Sequence, residues 1–244
     1  MQYWGVTDPG CVRPQNQDAY TMEQLDKNAL LCVVCDGMGG AKSGNVASTM
    51  AVDAFTKEVL AGYKSGISFE QMGALMLAAC KMANFVVYDQ AQQAEEYRGM
   101  GTTLVALFVW GNYACGINIG DSRLYALTAQ SIRQLSHDHS YVQYLIDLGK
   151  LTPEEARTST NRNIITRAVG TAPVLEADIV PVDAGLVGQA TFLLCSDGLS
   201  GMITDAEMAA IVRDADSLDA AVNALVDAAN AAGGSDNITV VLCR

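Results

Sequence analysis

Four aspartates occur at the ends of strand-like segments, each beside a glycine or an asparagine: Asp36, Asp121, Asp197 and Asp236. Carboxylates that cluster in a fold repel one another and raise one another's pKa unless cations neutralise them. Ligand sets made only of oxygen suit hard cations such as Mg²⁺ or Mn²⁺. A single Asp-Gly step is more typical of a plain turn, so the prediction depends on all four carboxylates meeting at one edge of the core. On that condition, the sequence predicts a site for a pair of divalent metal ions.

A second candidate group lies near the N-terminus, where Arg13 precedes Asp18 by five residues. The planar guanidinium of arginine matches two oxygens of a phosphate group. The alternative interpretation is a surface salt bridge, and this stretch alone does not decide between the two.

The glycine-dense segment 37–44 follows Asp36 and is predicted to be a loop. It fits neither common nucleotide-binding pattern, because Ala41 breaks the P-loop spacing and a dinucleotide fingerprint would need glycine where Lys42 stands. A residue without a Cβ lets the backbone approach a cation closely. We therefore interpret Asp36 as a bridging metal ligand with the Gly37 carbonyl beside it, and a tight turn is the alternative.

Composition and charge argue against several classes of partner. The chain has 244 residues, of which 50% are hydrophobic, and its formal net charge is -12. This length fits one domain, and the negative charge argues against nucleic acid or an anionic membrane as a partner. The N-terminus lacks the basic and apolar regions of a signal peptide. The strongest apolar runs, Ala29–Cys35 and Leu104–Trp110, are too short to span a bilayer.

The seven cysteines are scattered along the chain, which fits a reducing, cytoplasmic compartment. Cys32 and Cys35 form a C-x-x-C pattern, but no second pair follows at zinc spacing. Residues three apart on a strand point to opposite faces. We therefore expect these two cysteines to be buried apolar side chains rather than a metal or redox site.

The elements that must position the candidate residues are antiparallel strands and helices. Apolar residues recur every three or four positions in two consecutive long helices, and Met72, Met76 and Met82 belong to the apolar stripe of the second. The Gly111-Asn112 step predicts a hairpin. The order is strands, two helices, strands, two helices, strand. Because regular βαβ alternation is missing, we predict an α+β layered fold.

The predicted boundaries follow from the same patterns. The predicted strands are Tyr3–Thr7, a segment near Tyr20, Leu30–Cys35, Thr102–Trp110, Tyr113–Ile119, Arg123–Leu127, Ile132–Leu135, Ala177–Val182, Phe192–Cys195 and Ile238–Cys243. The predicted helices of the second half are a mostly helical insertion at Ser140–Arg157, then Asp205–Val212 and Leu218–Ala231.

Seven segments together resemble the bacterial members of the PPM-type, or type 2C, protein serine/threonine phosphatases. They are Arg13-x-x-Asn-Gln-Asp18, Val-Cys-Asp36-Gly-Met-Gly-Gly, Met100-Gly-Thr-Thr, Ile119-Gly-Asp121-Ser-Arg, Asp138-His-Ser, Leu-Cys-Ser-Asp197-Gly and Ser235-Asp236-Asn-Ile-Thr-Val. The resemblance extends from about Tyr3 to Cys243, and it implies a four-layer α-β-β-α sandwich of two antiparallel sheets flanked by helix pairs.

The resemblance also implies a centre of two Mn²⁺ or Mg²⁺ ions at one end of that sandwich. Asp36 would bridge both ions, and the Gly37 carbonyl would bind one of them. Asp197 and Asp236 would bind the other, while Asp18 would hold metal-bound water. Two ions roughly 3.5–4 Å apart lower the pKa of a bridging water, so that a hydroxide is available near neutral pH. That hydroxide would attack phosphorus directly, without a phosphoenzyme intermediate.

Three further assignments follow from the resemblance. Arg13 would bind the substrate phosphate and neutralise charge in the transition state. Asp121 would ligate a third, weaker metal ion. The segment 140–170 would form a flap that borders the substrate groove.

The sequence departs from the family pattern in two ways that affect chemistry. Many bacterial relatives have a histidine where this chain has Ala41, so the leaving-group acid has no obvious occupant. A metal-bound water or His139 could serve, and the alternative for His139 is a helix cap or a surface residue. Gly201 replaces an aspartate that often supports the third metal, so we expect that site to be weak or empty without added manganese.

We therefore predict one domain, residues 1–244, that hydrolyses phosphoserine and phosphothreonine in proteins and depends on Mn²⁺ or Mg²⁺. The expected partners are phosphorylated proteins and a bacterial serine/threonine kinase that the enzyme opposes. We expect a cytoplasmic monomer. Two alternatives remain: a catalytically weak pseudophosphatase of the same fold that binds phosphopeptides, and a hydrolase of small phosphate esters.

Overall fold

Two antiparallel sheets pack face to face in the computed structural model, which describes residues 1–39 and 43–244. The strands are β1 (Tyr3–Asp8), β2 (Asp18–Asp26), β3 (Ala29–Met38), β4 (Gly101–Thr102), β5 (Leu104–Trp110), β6 (Tyr113–Ile119), β7 (Arg123–Leu127), β8 (Ile132–Gln134), β9 (Asp178–Pro181), β10 (Thr191–Cys195) and β11 (Ile238–Cys243). One sheet has the order β1-β11-β10-β7-β8. The other has the order β2-β3-β5-β6-β9, with the short β4 paired to β3.

Two pairs of helices cover the outer faces of the sheets. The helices along the chain are α1 (Gly40–Gly62), α2 (Phe69–Gln93), α3 (Tyr141–Asp147), α4 (Pro153–Thr158), α5 (Asp197–Ser200), α6 (Asp205–Asp214) and α7 (Leu218–Ala231). The pair α1 and α2 packs on the sheet that contains β3, and the pair α6 and α7 packs on the other sheet. The predicted four-layer α-β-β-α sandwich is therefore confirmed.

Three apolar layers fill the spaces between these four layers of structure. Phe55 and Met76 belong to the layer between α1, α2 and their sheet. Leu107 and Leu194 belong to the middle layer, which lies between the two sheets. Leu225 belongs to the layer beneath α6 and α7. Since both faces of each sheet are covered, central strands consist of uninterrupted apolar runs instead of alternating polar and apolar residues.

Strand β3 shows how this burial divides neighbouring residues between layers. Cys35 contributes to the layer beneath α1, and Cys32 contributes to the layer between the sheets. The prediction that these two cysteines point to opposite faces is confirmed. The predicted hairpin is also confirmed, because β5 and β6 pair in antiparallel register through Trp110 and Tyr113. Gly111 has a φ of 54° in the turn, a conformation that glycine adopts without strain.

Two local predictions are wrong. The segment 37–44 is not a loop, because β3 continues to Met38 by pairing with β4, and α1 begins at Gly40. The side chains of Ala41 and Lys42, on which part of the sequence argument rests, lie outside the described residues. Met82 is 43% exposed, so it does not belong to the buried stripe of α2.

Helix α2 has a composition that could be mistaken for a membrane span. Within the described residues, it is the one helix that is long and apolar enough to cross a bilayer. Its buried residues, however, include Met72, Met76, Ala83 and Val87, which pack in the layer beneath α1 and α2. Packing in the core thus explains its apolar composition.

Candidate functional site

The candidate acidic residues converge at one end of the sandwich, where strands of both sheets terminate. Asp18 begins β2 and lies directly opposite Asp36 in the register of β2 and β3. Asp197 begins α5, two residues after β10 ends, and Asp236 lies two residues before β11. Asp121 lies in the turn between β6 and β7. Positions that are up to 218 residues apart in sequence, Asp18 and Asp236, therefore share one edge of the core.

A cavity of about 550 Å³ opens at this edge. Six of the seven predicted site residues line it: Arg13, Asp36, Gly37, Asp121, Asp197 and Asp236. Among the described lining residues Asp18 is missing, since it lies behind the cavity as the cross-strand partner of Asp36.

The Asp18 carboxylate is held by two hydroxyl groups from the opposite sheet. Its Oδ2 accepts hydrogen bonds from Ser196 Oγ at 2.7 Å and from Thr239 Oγ1 at 2.6 Å. Its Oδ1 is buried and has no partner among the described residues. The residue as a whole is partly exposed, but its carboxyl group is enclosed, and this burial raises its pKa to about 7.

The backbone of Asp36 is fixed by the Gly-Thr-Thr segment. The Asp36 N–H donates to Thr103 Oγ1 at 2.9 Å, and the Asp36 carbonyl accepts from the Thr103 N–H at 2.9 Å and from Thr102 Oγ1 at 2.8 Å. Burial raises the pKa of Asp36 well above its usual value, and the charges of Asp18 and Asp197 raise it further. An added proton or a cation would relieve this repulsion.

Gly37 lies in a space that no side chain could share. A Cβ at this position would overlap the Gly44 carbonyl oxygen and would lie 2.5 Å from the Gln17 carbonyl oxygen. The Gly37 N–H donates to the Gln17 carbonyl at 3.2 Å. The tight packing around Gly37 is thus with the Gly44 and Gln17 backbone, and the predicted approach of its carbonyl to a cation stays a prediction.

Asp197 and Asp236 differ in how their oxygens are satisfied. Burial, and then the charge of Asp236, raises the pKa of Asp197 to about 6. The Oδ1 of Asp197 is buried without a partner among the described residues. In Asp236, Oδ2 accepts from Arg13 Nη2 at 2.7 Å and Oδ1 accepts from the Asn237 N–H at 2.9 Å.

Arg13 lies at the mouth of the cavity with a side chain that is 50% exposed. Its hydrogen bond to Asp236 raises the pKa of the guanidinium, which stays charged. The structure therefore brings Arg13 to the cleft, where it forms an ion pair with Asp236 from the opposite end of the chain.

Asn237 is a site residue that the sequence analysis missed. Its Oδ1 accepts from the Gln17 N–H at 2.8 Å, and its Nδ2 donates to the carbonyls of Pro9 and Gln15 at 3.0 and 2.9 Å. It therefore ties the loop that carries Arg13 to the Asp236 segment. The Asp-Asn-Ile segment contained the signal, but only its aspartate was interpreted.

The donor set of the cavity fits a hard cation. Unpartnered buried carboxylate oxygens are costly, and Asp18 and Asp197 each have one among the described residues. The candidate ligands are carboxylates and a backbone carbonyl, which Mg²⁺ and Mn²⁺ prefer. Within the described residues, no three acidic, cysteine or histidine side chains stand close enough to share one ion as they are placed.

Asp121 lies between the first cavity and a second one of about 470 Å³, which also contains Gly201. Asp121 is 9% exposed, and burial followed by the charge of Asp197 raises its pKa well above the usual value. Asn163 from the segment 140–170 lines both cavities. This segment, which contains α3 and α4, thus borders the cleft.

His139 is neither a helix cap nor a surface residue, so that interpretation is wrong. It is 6% exposed, and Ser140 caps α3 through a hydrogen bond from the Gln143 N–H. Among the described residues that line the two cavities, His139 does not appear. The sequence around His139 is polar and therefore predicts an exposed segment. The burial of this histidine depends on partners from elements that are distant in sequence.

Comparison with known proteins gives consistent matches over nearly the whole chain. A family model described as protein phosphatase 2C matches residues 14–242. The serine/threonine phosphatase stp of Listeria welshimeri serovar 6b is 36% identical over 242 residues, which cover 97% of this chain and 92% of the relative.

Two solved structures give the same result. The serine/threonine phosphatase Stp1 from Staphylococcus aureus has a TM-score of 0.90 at 34% identity, covering 99% of this chain and 93% of its own. The catalytic domain of the serine threonine protein phosphatase PstP, in complex with two manganese ions, has a TM-score of 0.81 at 30% identity, covering 99% and 96%.

Proposed function

The chain belongs to the protein phosphatase 2C family, and we propose that the acidic cleft is where it removes phosphate from phosphoserine and phosphothreonine. As a member of that family it is a protein serine/threonine phosphatase that uses Mn²⁺ or Mg²⁺ and acts on phosphoproteins. The proposal depends on one observation. Carboxylates at the ends of strands from both sheets line one cavity, and Arg13 lies at its mouth.

Two divalent ions in this cleft would supply an activated water nucleophile and would neutralise charge on the phosphoryl oxygens. Asp36, the Gly37 carbonyl, Asp197 and Asp236, which line the same cavity, would hold these ions. The Asp197 oxygen without a partner among the described residues fits this role, because coordination would satisfy it.

Asp18 supports the centre from behind. Ser196 and Thr239 donate to its Oδ2, and its buried Oδ1, which has no partner among the described residues, would hold metal-bound water when ions are present. This arrangement orients water relative to Asp36, which lies opposite Asp18 across the β2–β3 pair.

Arg13 binds and orients the phosphate of the substrate. Its guanidinium is half exposed at the cavity mouth, so phosphate can reach it. To bind phosphate with both nitrogens of its fork, Arg13 must loosen its hydrogen bond to Asp236. Release of Asp236 and binding of phosphate are therefore linked.

Asp121 is proposed as the ligand of a third, weaker ion. It lies at the boundary of the two cavities. Gly201 also lines the second cavity and has no side chain to offer as a ligand. This site should fill only at high metal concentration.

We propose that residues 1–244 act as one catalytic domain with the segment 140–170 as its flap. A serine/threonine kinase must supply the phosphorylated substrates, so a bacterial kinase is the proposed functional partner. The enzyme is proposed to be monomeric and cytoplasmic, in keeping with its free cysteines, of which only Cys11 is exposed.

The test is hydrolysis of p-nitrophenyl phosphate and of a phosphothreonine peptide, with Mn²⁺, after chelation, and after metal is restored. We expect turnover of both substrates that disappears with chelator and in Asp197→Asn. Binding of the peptide without turnover would instead indicate a pseudophosphatase. Hydrolysis of small esters with none of the peptide would indicate a small-molecule enzyme.

A further inference from the structure

We propose that His139 is a positioning residue that holds the flap, residues 140–170, and the Gly120–Asp121 turn in one fixed arrangement. It does not donate the proton to the leaving group. The inference rests on the proposed function, because it concerns how the same cleft binds a phosphopeptide.

The first contacts join His139 to the turn that carries Asp121. The backbone N–H of His139 donates to the Gly120 carbonyl at 2.9 Å. The Gly120 N–H in turn donates to the imidazole Nδ1 of His139 at 3.1 Å. Gly120 has a φ of 101°, and a Cβ there would lie 2.6 Å from Thr103 Cγ2, so the turn requires glycine at this position. The position of Asp121 is thus fixed relative to the imidazole.

These contacts also determine the tautomer. Since Nδ1 accepts a hydrogen bond, the ring hydrogen lies on Nε2, which donates to Asp178 Oδ2 at 3.0 Å. Both ring nitrogens are therefore engaged within the protein. A proton donor to the leaving group would need one nitrogen directed into the cleft, and His139 is not among the described residues that line either cavity.

The second set of contacts joins His139 to the far end of the flap. Its carbonyl accepts from the Thr166 N–H at 2.8 Å. Arg167, the next residue, donates to Asp178 Oδ1 at 2.9 Å, so Asp178 binds His139 with one oxygen and Arg167 with the other. Both ends of the flap are therefore attached to β9 through the same carboxylate.

The neighbours of His139 make the start of the flap rigid. Asp138 accepts from Arg123 Nε at 2.9 and 3.0 Å and from Arg123 Nη2 at 2.7 Å. Ser140 caps α3. All three consecutive residues, Asp138, His139 and Ser140, are less than 9% exposed. A shift of the flap would therefore be transmitted to the turn of Asp121, and the reverse.

This connection has a consequence that depends on substrate size. The flap borders the cleft through Asn163 and Ile165, so a peptide extending from the phosphorylated residue meets it. A small aryl phosphate has no peptide chain for the flap to bind. Loss of His139 should therefore weaken peptide binding and leave the chemistry on the small ester largely intact.

The test compares His139→Phe, His139→Asn and a matched control, His137→Phe. His137 forms the same kind of pair, with Asp147 at 2.9 Å, but its side chain is 57% exposed and that of His139 only 5%. In His139→Asn, the short amide can still accept from the Gly120 N–H. Steady-state kinetics with a phosphothreonine peptide and with p-nitrophenyl phosphate, across pH, give KM and kcat separately.

For His139→Phe we expect KM for the peptide to rise roughly tenfold, as for loss of one or two buried hydrogen bonds, with kcat for p-nitrophenyl phosphate within about threefold. His139→Asn should recover a large part of the loss, and the alkaline limb of the pH profile should persist. His137→Phe should resemble the wild type. If His139→Phe does not fold, Asp178→Ala removes the Nε2 partner and should raise the peptide KM in the same direction.

Two results would overturn the inference while the wild type is active. One is a fall in kcat for the peptide at unchanged KM, with loss of the alkaline limb and no recovery in His139→Asn, which would make His139 the acid. The other is unchanged peptide kinetics in His139→Phe or, where that variant does not fold, in Asp178→Ala. A wild type inactive with Mn²⁺ on both substrates would instead overturn the proposed function, and this inference with it.

Discussion

In β3, the seven residues from Ala29 to Cys35 are completely buried between apolar layers, and the next residue, Asp36, is a carboxylate beside other carboxylates. Away from the acidic end, the buried side-chain oxygens that lack a partner among the described residues, Thr56 Oγ1 and Asn118 Oδ1, belong to neutral groups. At the acidic end, buried oxygens of Asp18 and Asp197 have no partner among the described residues. The apolar interior therefore stabilises the fold, whereas the acidic end reduces that stability until cations bind.

The largest effect should come from Asp36→Asn, which removes the carboxylate at the boundary between the apolar interior and the acidic end. Removal of this charge should lower kcat by roughly 10³-fold, because the metal ions supply several kcal/mol of transition-state stabilisation. The same change should raise the Tm of the metal-free protein, since it removes repulsion among buried carboxylates. Enzyme assays and thermal melts with chelator measure both.

The control for that experiment is Asp53→Asn, which alters an exposed aspartate on α1. It should change neither kcat nor Tm appreciably. A metal-free Asp36→Asn protein that melts below the wild type would contradict the assigned repulsion.

The converse change is Leu107→Ala in the layer between the sheets. Leu107 is completely buried, and truncation of such a side chain costs about 2–5 kcal/mol of the free energy of unfolding. Well below the new Tm, kcat should stay near the wild-type value, because Leu107 does not reach the cleft. Denaturant melts provide the measurement, with Leu60→Ala, 43% exposed, as the control.

Arg13→Ala tests whether the guanidinium at the mouth of the cleft binds the substrate phosphate. Loss of a charge-assisted contact to phosphate should raise KM for a phosphopeptide about 10- to 100-fold, with a smaller change in kcat. Because Arg13 competes for Asp236 Oδ2, calorimetry without phosphate should show Mn²⁺ affinity that is equal or higher.

Arg98→Ala is the matched control, since Arg98 forms an exposed ion pair with Glu95 and is not among the described residues that line the cavity. A loss of kcat at unchanged KM in Arg13→Ala would argue against a role in binding phosphate in the ground state.

The smallest effect concerns the pH dependence of the metal-free protein. Folding raises the pKa of Asp18 from 3.8 to about 7 and that of Asp197 from 3.8 to about 6. The folded state therefore keeps these protons between pH 4 and 7 while the unfolded state releases them, so the stability from these groups is lost as pH rises through that window.

With chelator, Tm should therefore fall by several degrees more between pH 5 and pH 7.5 in the wild type than in Asp18→Asn. Saturating Mn²⁺ should remove most of that difference between the two pH values. Equal slopes for wild type and Asp18→Asn in chelator would show that Asp18 does not titrate in this range.

Much of the fold could be predicted because its signals are local. The antiparallel pairing of β5 and β6 follows from Gly111-Asn112, and α7 has the predicted bounds, Leu218–Ala231. The predicted α-β-β-α layers and the membership of the type 2C phosphatase family are both confirmed. The loop predicted between β3 and α1 was wrong. The pairing of β3 with β4 joins segments more than 60 residues apart, and it overrides the loop propensity of the glycines.

The sequence by itself determined the types of group at the site: oxygen ligands, an arginine suited to phosphate, and a glycine that permits close approach. Each follows from the chemistry of one residue and its immediate neighbours. Only the tertiary structure decided which groups remain unsatisfied, that Arg13 pairs with Asp236, and that His139 is buried against Gly120 and Asp178. The burial of a side chain and its hydrogen-bond partners depend on elements that are distant in sequence. Together, these tertiary contacts set the electrostatic environment of each group.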